Sequence, residues 1–202
     1  MKIAVIGATG QAGLPIAREL AARGHQVTAI VRHPEKVPAI ANVVARAGDV
    51  FDQDALAALL KGHDAVISSV HFTASDPQKL IGAVKAAGVK RYLVVGGAGS
   101  LEVAPGVTLV STPEFPSQYK DEATKGLDFL NLLRKDTELN WTFLSPSALF
   151  FDGPRTGKFR LGGDRLLSNE NGSSISFADY AIAMADEVEN PAHARQRFTV
   201  GY

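Results

Sequence analysis

Three glycines near the start of the chain have a spacing that suits phosphate chemistry. Gly7, Gly10 and Gly13 stand in Gly7-Ala8-Thr9-Gly10-Gln11-Ala12-Gly13, directly after the apolar run Ile3–Ile6 and directly before a stretch with helical spacing. Gly7 permits a sharp turn out of a strand. Gly10 keeps side-chain atoms away from a pyrophosphate, and Gly13 lets the helix pack close to the sheet. A helix N-terminus at this point adds unpaired N–H groups and a partial positive charge. Thr9, Gln11 and Ala12 lie in the same turn and share the expected contact. Strand, glycines and helix together predict a dinucleotide site.

The end of the second strand distinguishes between dinucleotides. In NAD-binding sheets an acid about 20 residues further on takes the ribose 2′-hydroxyl. Here that region reads Ile30-Val31-Arg32-His33-Pro34, with Arg32 in the place of the acid. A guanidinium pairs with a 2′-phosphate and stacks on adenine. NADP(H) is therefore expected over NAD(H), and Lys36 reads as a helix surface residue. Ligands of such sheets sit at the carboxyl edge. Asp49 and Val50 after the third strand are thus candidates for the adenine side, and Ser68, Ser69 and Val70 after the fourth for the ribose and nicotinamide. Gly96 and Gly97 follow the fifth strand, and Pro146 and Ser147 the sixth.

These residues need a scaffold that brings strand ends to one edge. Val- and Ile-rich runs recur at Ile3–Ile6, Val27–Val31, Val43–Ala45, Ala65–Ser68 and Tyr92–Val95, and further strands are expected at Trp141–Leu144 and Arg197–Val200. Between them lie helical spacings at Ala12–Arg23, Gln53–Leu60, Pro77–Ala87, Ser117–Lys135 and Phe177–Glu189. This alternation predicts an α/β fold, a Rossmann-type doubly wound parallel sheet with a small C-terminal lobe, in one domain over 1–202. Asp52 and Asp76 suit helix N-caps, and Gly24 and Gly88 suit left-handed helix ends. Gly99–Pro116 reads as a long irregular and therefore functional loop. Pro146 reads as breaking the sixth strand. Gly153–Asn171, with Arg155, Lys158, Arg160 and Arg165, reads as a basic loop or hairpin balanced by Asp152 and Asp164.

Composition narrows the chemistry. Of 202 residues, 21 are Lys or Arg and 21 are Asp or Glu, so nothing in the charge suggests a nucleic-acid or membrane-surface partner. There is no cysteine, which removes thiolate chemistry. The histidines at 25, 33, 63, 71 and 193 show no close ligand spacing, and no metal is expected. No Gly-x-Ser-x-Gly elbow is present. The apolar run before Gly7 is too short for a signal-peptide core, and no stretch approaches the ~20 apolar residues of a membrane span. The expectation is a cytoplasmic protein, monomeric or homodimeric.

The glycine turn, Val31-Arg32, Gly48-Asp49-Val50 and Val94-Val95-Gly96-Gly97-Ala98-Gly99-Ser100 resemble the atypical short-chain dehydrogenase/reductases. The similarity is greatest to the NAD(P)H-binding group named NADH-flavin reductases, with relatives among biliverdin-reductase-B/flavin-reductase-like and NmrA-like proteins. Trp141–Pro146, Arg155–Arg160 and Ile175–Ala181 also match, so the resemblance spans almost the whole chain. It implies a Rossmann fold, a nicotinamide cofactor and a reductase activity.

One feature departs from the wider family, whose reductases use a Tyr-x-x-x-Lys pair as general acid. Tyr119 is followed four residues later by Ala123, while Lys120 and Lys125 fall off its helical face. The hydroxyl expected after the fifth strand is also missing, with Ser100 the nearest. Hydride transfer to a flavin, quinone or similar planar acceptor needs less of the protein, chiefly that two rings be held face to face. The catalytic residues are left unassigned, with His71, Ser100 and Tyr119 as candidates; a structural role for His71 is the simpler reading. Phe72, Phe115, Tyr119, Phe150 and Phe151 follow strand ends and are candidates to line the acceptor site. The alternatives are a non-catalytic dinucleotide sensor, which the NmrA-like resemblance implies, and an epimerase or dehydratase.

Overall fold

A computed structural model describes residues 1–202. Twelve strands form: β1 Lys2–Ile6, β2 Gln26–Val31, β3 Val43–Ala47, β4 Ala65–Ser68, β5 Arg91–Val95, β6 Glu102–Ala104, β7 Val107–Thr108, β8 Asn140–Pro146, β9 Leu149–Phe151, β10 Arg160–Gly162, β11 Ser174–Ser176 and β12 Gln196–Gly201. Five helices connect them: α1 Gly13–Ala22, α2 Gln53–Leu60, α3 Pro77–Ala86, α4 Lys120–Arg134 and α5 Phe177–Glu189. Eight strands make one sheet in the order β10-β12-β8-β5-β4-β1-β2-β3, parallel except for β10. This is the Rossmann arrangement expected from the alternation of strands and helices.

Side-chain alternation explains the layering. Ile3 and Val5 of β1 join Ile16 and Leu20 of α1 and Tyr180 and Met184 of α5 on one face. Ala4 and Ile6 join Leu56 of α2, Leu80 of α3 and Phe129 of α4 on the other. Helices cover both faces, so the strands are apolar almost throughout. Asp52 accepts the Ala55 N–H at 3.1 Å, and Asp76 accepts the Gln78 N–H at 2.8 Å, capping α2 and α3. Gly24 and Gly88 adopt φ of 85° and 75° beyond the ends of α1 and α3.

The chain runs outward through β1, β2 and β3, then returns and runs the other way through β4, β5, β8 and β12. Neighbouring β1 and β4 mark the reversal. The loops leaving their carboxyl ends diverge there and open a crevice.

Three readings of the sequence are corrected. Gly99–Pro116 is not irregular: β6 and β7 pair antiparallel about a turn with Gly106 at φ 73°, and a 3-10 turn follows at Leu109–Ser111. Nor does any of its residues line the crevice. Pro146 does not break β8: it pairs with Val200 of β12, while on the other side the ladder to β5 ends at Leu144. A proline whose missing N–H faces the side where the ladder has ended leaves no hydrogen bond unmade. Finally, the basic 153–171 segment does not fold into a hairpin of its own, because β10 adds to β12 at the sheet edge. Arg155 pairs with Glu19 of α1, and Asp164 pairs with Arg197 of β12.

Candidate active site

A cleft of about 820 Å³ runs along the carboxyl edge of the sheet. Its lining follows the strand order. Gly48–Phe51 leave β3, Val31 and Arg32 end β2, and Gly7 with Thr9–Ala12 leaves β1. Ser69–Phe72 leave β4, Val95–Ala98 end β5, and Pro146–Ala148 end β8. Five interstrand steps separate β3 from β8, a span of roughly 24 Å.

The turn after β1 is built for close approach. Gly7 has φ 81°, and a Cβ there would lie 2.1 Å from the Ser69 carbonyl oxygen. A Cβ on Gly10 would meet only the Gly7 carbonyl at 3.3 Å and the Ser69 carbonyl at 3.9 Å within a 4 Å radius. No protein acceptor meets the N–H groups of Gln11, Ala12 or Gly13. They are the free donors of the first turn of α1, where Pro15 lacks an N–H that would need a partner. Free amides and a missing side chain at a helix N-terminus fit a pyrophosphate.

Most residues singled out from the sequence meet in this cleft. Gly7, Thr9, Gly10, Gln11, Ala12, Arg32, Asp49, Val50, Ser69, Val70, Gly96, Gly97, Pro146 and Ser147 all line it, as do His71 and Tyr119. Four do not. Ser68 still belongs to β4 and is buried beneath the edge. Gly13 lies behind the turn, where a Cβ would be 2.2 Å from the Gly7 carbonyl oxygen. Phe115 and Phe151 also lie outside the cleft.

Ser100 is corrected as a catalytic candidate. The 3-10 turn at Ala98–Ser100 carries it away from the edge into the protein, where its Oγ accepts from the Arg197 guanidinium at 3.3 Å. Arg155, Lys158, Arg160 and Arg165 are likewise absent from the lining.

A family model described as NAD(P)H-binding matches residues 7–191. The chain belongs to this NAD(P)H-binding family. Its resemblance to the atypical short-chain dehydrogenase/reductases therefore holds. The chain is 44 % identical to the uncharacterised protein YwnB of Bacillus subtilis, over 99 % of this chain and 98 % of the relative. A crystal structure from Burkholderia pseudomallei, provisionally named an exported protein, superposes with a TM-score of 0.91 at 47 % identity, covering 100 % of both chains. A Streptococcus pneumoniae protein provisionally named an NADH-flavin reductase does so with a TM-score of 0.82 at 41 % identity, covering 100 % of this chain and 99 % of that one. No helix is long and apolar enough to cross a membrane.

In this NAD(P)H-binding protein the two ends of the cleft differ. Arg32 stands at the β2–β3 end, exposed and without a carboxylate partner within salt-bridge distance. The β5–β8 end is lined by Phe72, Val95, Tyr119, Pro146, Phe150 and Phe177. Phe72 sits edge-on to Phe129 at 5.9 Å and stacks on Phe143 at 6.2 Å. A Cβ on Gly126 would be 2.8 Å from its ring, so α4 closes tightly over it. Phe150 packs on Phe177 at 4.4 Å and on Tyr180 at 4.7 Å.

Glu122 is the lining residue of this end that the sequence reading missed. Its carboxylate accepts the Phe72 N–H at 2.8 Å, the Thr73 N–H at 2.9 Å and the Thr73 hydroxyl at 2.7 Å. Partial burial pushes its carboxyl up, but hydrogen bonds from Thr73 and Phe72 outweigh this and hold it below the usual range. Glu122 is therefore an anion that clamps the turn after β4 to α4. The same carboxylate lies 3.3 Å from Nδ1 of His71, whose side chain is 84 % exposed, so this histidine is not part of the core. No sequence pattern announces the clamp, because its partners lie about 50 residues apart. Phe177 was legible only as the start of a helix.

Proposed function

We infer that this protein is a reductase that uses NAD(P)H, with NADP(H) preferred, to reduce a flavin, quinone or similar planar acceptor. One observation carries the reading: a single cleft joins a phosphate-binding turn to an aromatic-walled end without a Tyr-x-x-x-Lys pair. The name of the Streptococcus pneumoniae relative supports the same reaction class.

The residues divide the work. The amides of Gln11 and Ala12 meet the pyrophosphate, and Gly10 leaves it room. Arg32 pairs with the 2′-phosphate, while Asp49 and Val50 border the adenine. Ser69, Val70, Gly96 and Gly97 line the nicotinamide half, and Pro146 and Ser147 close its far side. Phe72, Tyr119, Phe150 and Phe177 exclude water and offer flat surfaces to an acceptor ring. A bound reduced nicotinamide supplies a hydride, and solvent supplies the balancing proton. No protein group needs to act as a strong acid, because the acceptor is already electron-poor. Catalysis then consists of proximity and orientation.

The test is oxidation of NADPH and NADH by the purified protein, followed by absorbance, with riboflavin, FMN and menadione as acceptors. Turnover above the enzyme-free rate, with NADPH at the lower KM, is the expected result. Saturable dinucleotide binding without turnover of any acceptor would overturn the reductase reading and favour a sensor.

A further inference from the structure

We propose that the acceptor end of the cleft selects planar acceptors that carry no phosphate, riboflavin-like rings or quinones, over phosphorylated flavins. This deepens the reductase reading and rests on it. The argument is one of charge. Among all residues lining the cleft, Arg32 is the one Lys or Arg, and Asp49, Glu122 and His71 are the other titratable acids and imidazole. Arg32 ends β2 and Pro146 ends β8, four interstrand steps apart, or roughly 19 Å. That exceeds the Debye length of about 8 Å at physiological salt, so the guanidinium does not reach the acceptor.

The charge that remains at the acceptor end is negative. Glu122 is held ionised by its three hydrogen bonds, and the exposed imidazole of His71 lies 3.3 Å from it. Lys120 does not line the cleft, and it shares the first turn of α4 with two carboxylates, Asp121 and Glu122. Lys125 is turned to Asp121 at 3.6 Å. Outside the lining, the guanidinium of Arg155 is bound to Glu19 through two bonds of 3.0 and 2.9 Å. A flavin phosphate leaving the ring would thus meet a carboxylate and no fixed cation, and a bound dinucleotide pyrophosphate adds further negative charge. A neutral ring with a hydroxylated or apolar tail loses nothing there, since Phe72, Phe150 and Phe177 supply contact without charge. One carboxylate opposing a phosphate dianion within a Debye length of about 8 Å in a partly wet cleft weakens binding on the order of tenfold.

The experiment is a fluorescence-quenching titration of riboflavin and FMN into protein saturated with NADP⁺, at low and high salt. Riboflavin is expected to bind about tenfold more tightly than FMN at low salt, with the gap narrowing at high salt as the repulsion is screened. Glu122→Gln should narrow the gap at low salt. Because this change also loosens the turn at Phe72–Thr73, Ala148→Lys on the exposed rim provides an independent arm, and it should raise FMN affinity without improving riboflavin. FMN binding as tight as riboflavin, a gap indifferent to salt, or no saturable flavin binding each overturns the proposal. Turnover of menadione with NADPH, measured separately, decides the reductase reading by itself, so the two can fail independently.

Discussion

A Cβ on Gly13 would lie 2.2 Å from the carbonyl oxygen of Gly7, closer than any real pair of such atoms. Gly13 is therefore held by packing, whereas Gly10 has no comparable obstacle within the protein. The two glycines of one motif should separate when mutated. Gly13→Ala is expected to destabilise the fold by about 2–4 kcal/mol, because a backbone atom cannot move aside as a flexible side chain can. Gly10→Ala should melt within about 2 °C of the parent yet bind NADPH at least tenfold more weakly, since the new methyl occupies space meant for phosphate oxygens. Thermal unfolding alongside a calorimetric titration of each variant makes the comparison. Equal loss of stability in both would remove the argument that Gly10 serves a ligand.

Arg32 offers a cleaner test of cofactor choice. It is exposed and engages no carboxylate, so its removal should leave stability unchanged. A charge-assisted bond to phosphate is worth about 1.5–3 kcal/mol. Arg32→Ala should accordingly raise the NADPH KM about ten- to hundredfold and leave that for NADH within about twofold. Arg32→Asp should turn the preference towards NADH by offering the ribose hydroxyls an acceptor. Parallel losses for both dinucleotides would show that Arg32 does not read the 2′-phosphate.

Asp179 anchors the segment between β9 and β10 to the start of α5. It is fully buried and accepts the N–H groups of Thr156 and Gly157, each at 2.8 Å, with the Tyr202 hydroxyl at 2.7 Å. Burial raises its carboxyl, but the bonds from Thr156, Gly157 and Tyr202 outweigh this, and its pKa is lowered in the folded protein. A group depressed in this way stabilises fully above its unfolded value, about 3.9, and loses that contribution as pH falls through the folded one. Asp179→Asn should cost about 2–3 kcal/mol at pH 7, and the difference from the parent should shrink towards pH 3. Urea midpoints at both pH values measure it. A constant difference would mean that charge plays no part in the anchor.

Much of this architecture was legible because it rests on local rules. β1 to β5 could be read from Val- and Ile-rich runs and β8 and β12 from short apolar stretches, and the helix caps at Asp52 and Asp76 follow from residue type alone. The cleft residues at strand ends could be read because a doubly wound sheet brings carboxyl ends together. Long-range pairings were not legible. Glu122 meets Phe72 and Thr73 across about 50 residues, and Arg155 meets Glu19 across 136. Ser100 and Ser68 carried the right hydroxyl but the wrong direction. A single 3-10 turn sends Ser100 inward, and one residue of strand register keeps Ser68 below the edge while Ser69 reaches it. The 99–116 segment misled for a related reason: β6 and β7 are too short to show periodicity.

Tyr119 separates the proposed chemistry from that of the Tyr-x-x-x-Lys reductases. Its ring lines the cleft but is 60 % exposed, and the fourth residue on is Ala123, whose Cβ packs near Gly99 instead of offering an ammonium. A phenol acting as general acid contributes about 10²–10⁴-fold. If orientation alone drives the transfer, Tyr119→Phe should lower kcat for riboflavin or menadione by less than about threefold, because the ring is kept and only the hydroxyl is lost. Tyr119→Ala should act mainly on the acceptor KM, as a wall of the site is removed. A hundredfold fall in kcat for Tyr119→Phe would restore the phenol as the proton donor, and the missing lysine would then have to be replaced by another cation near its hydroxyl.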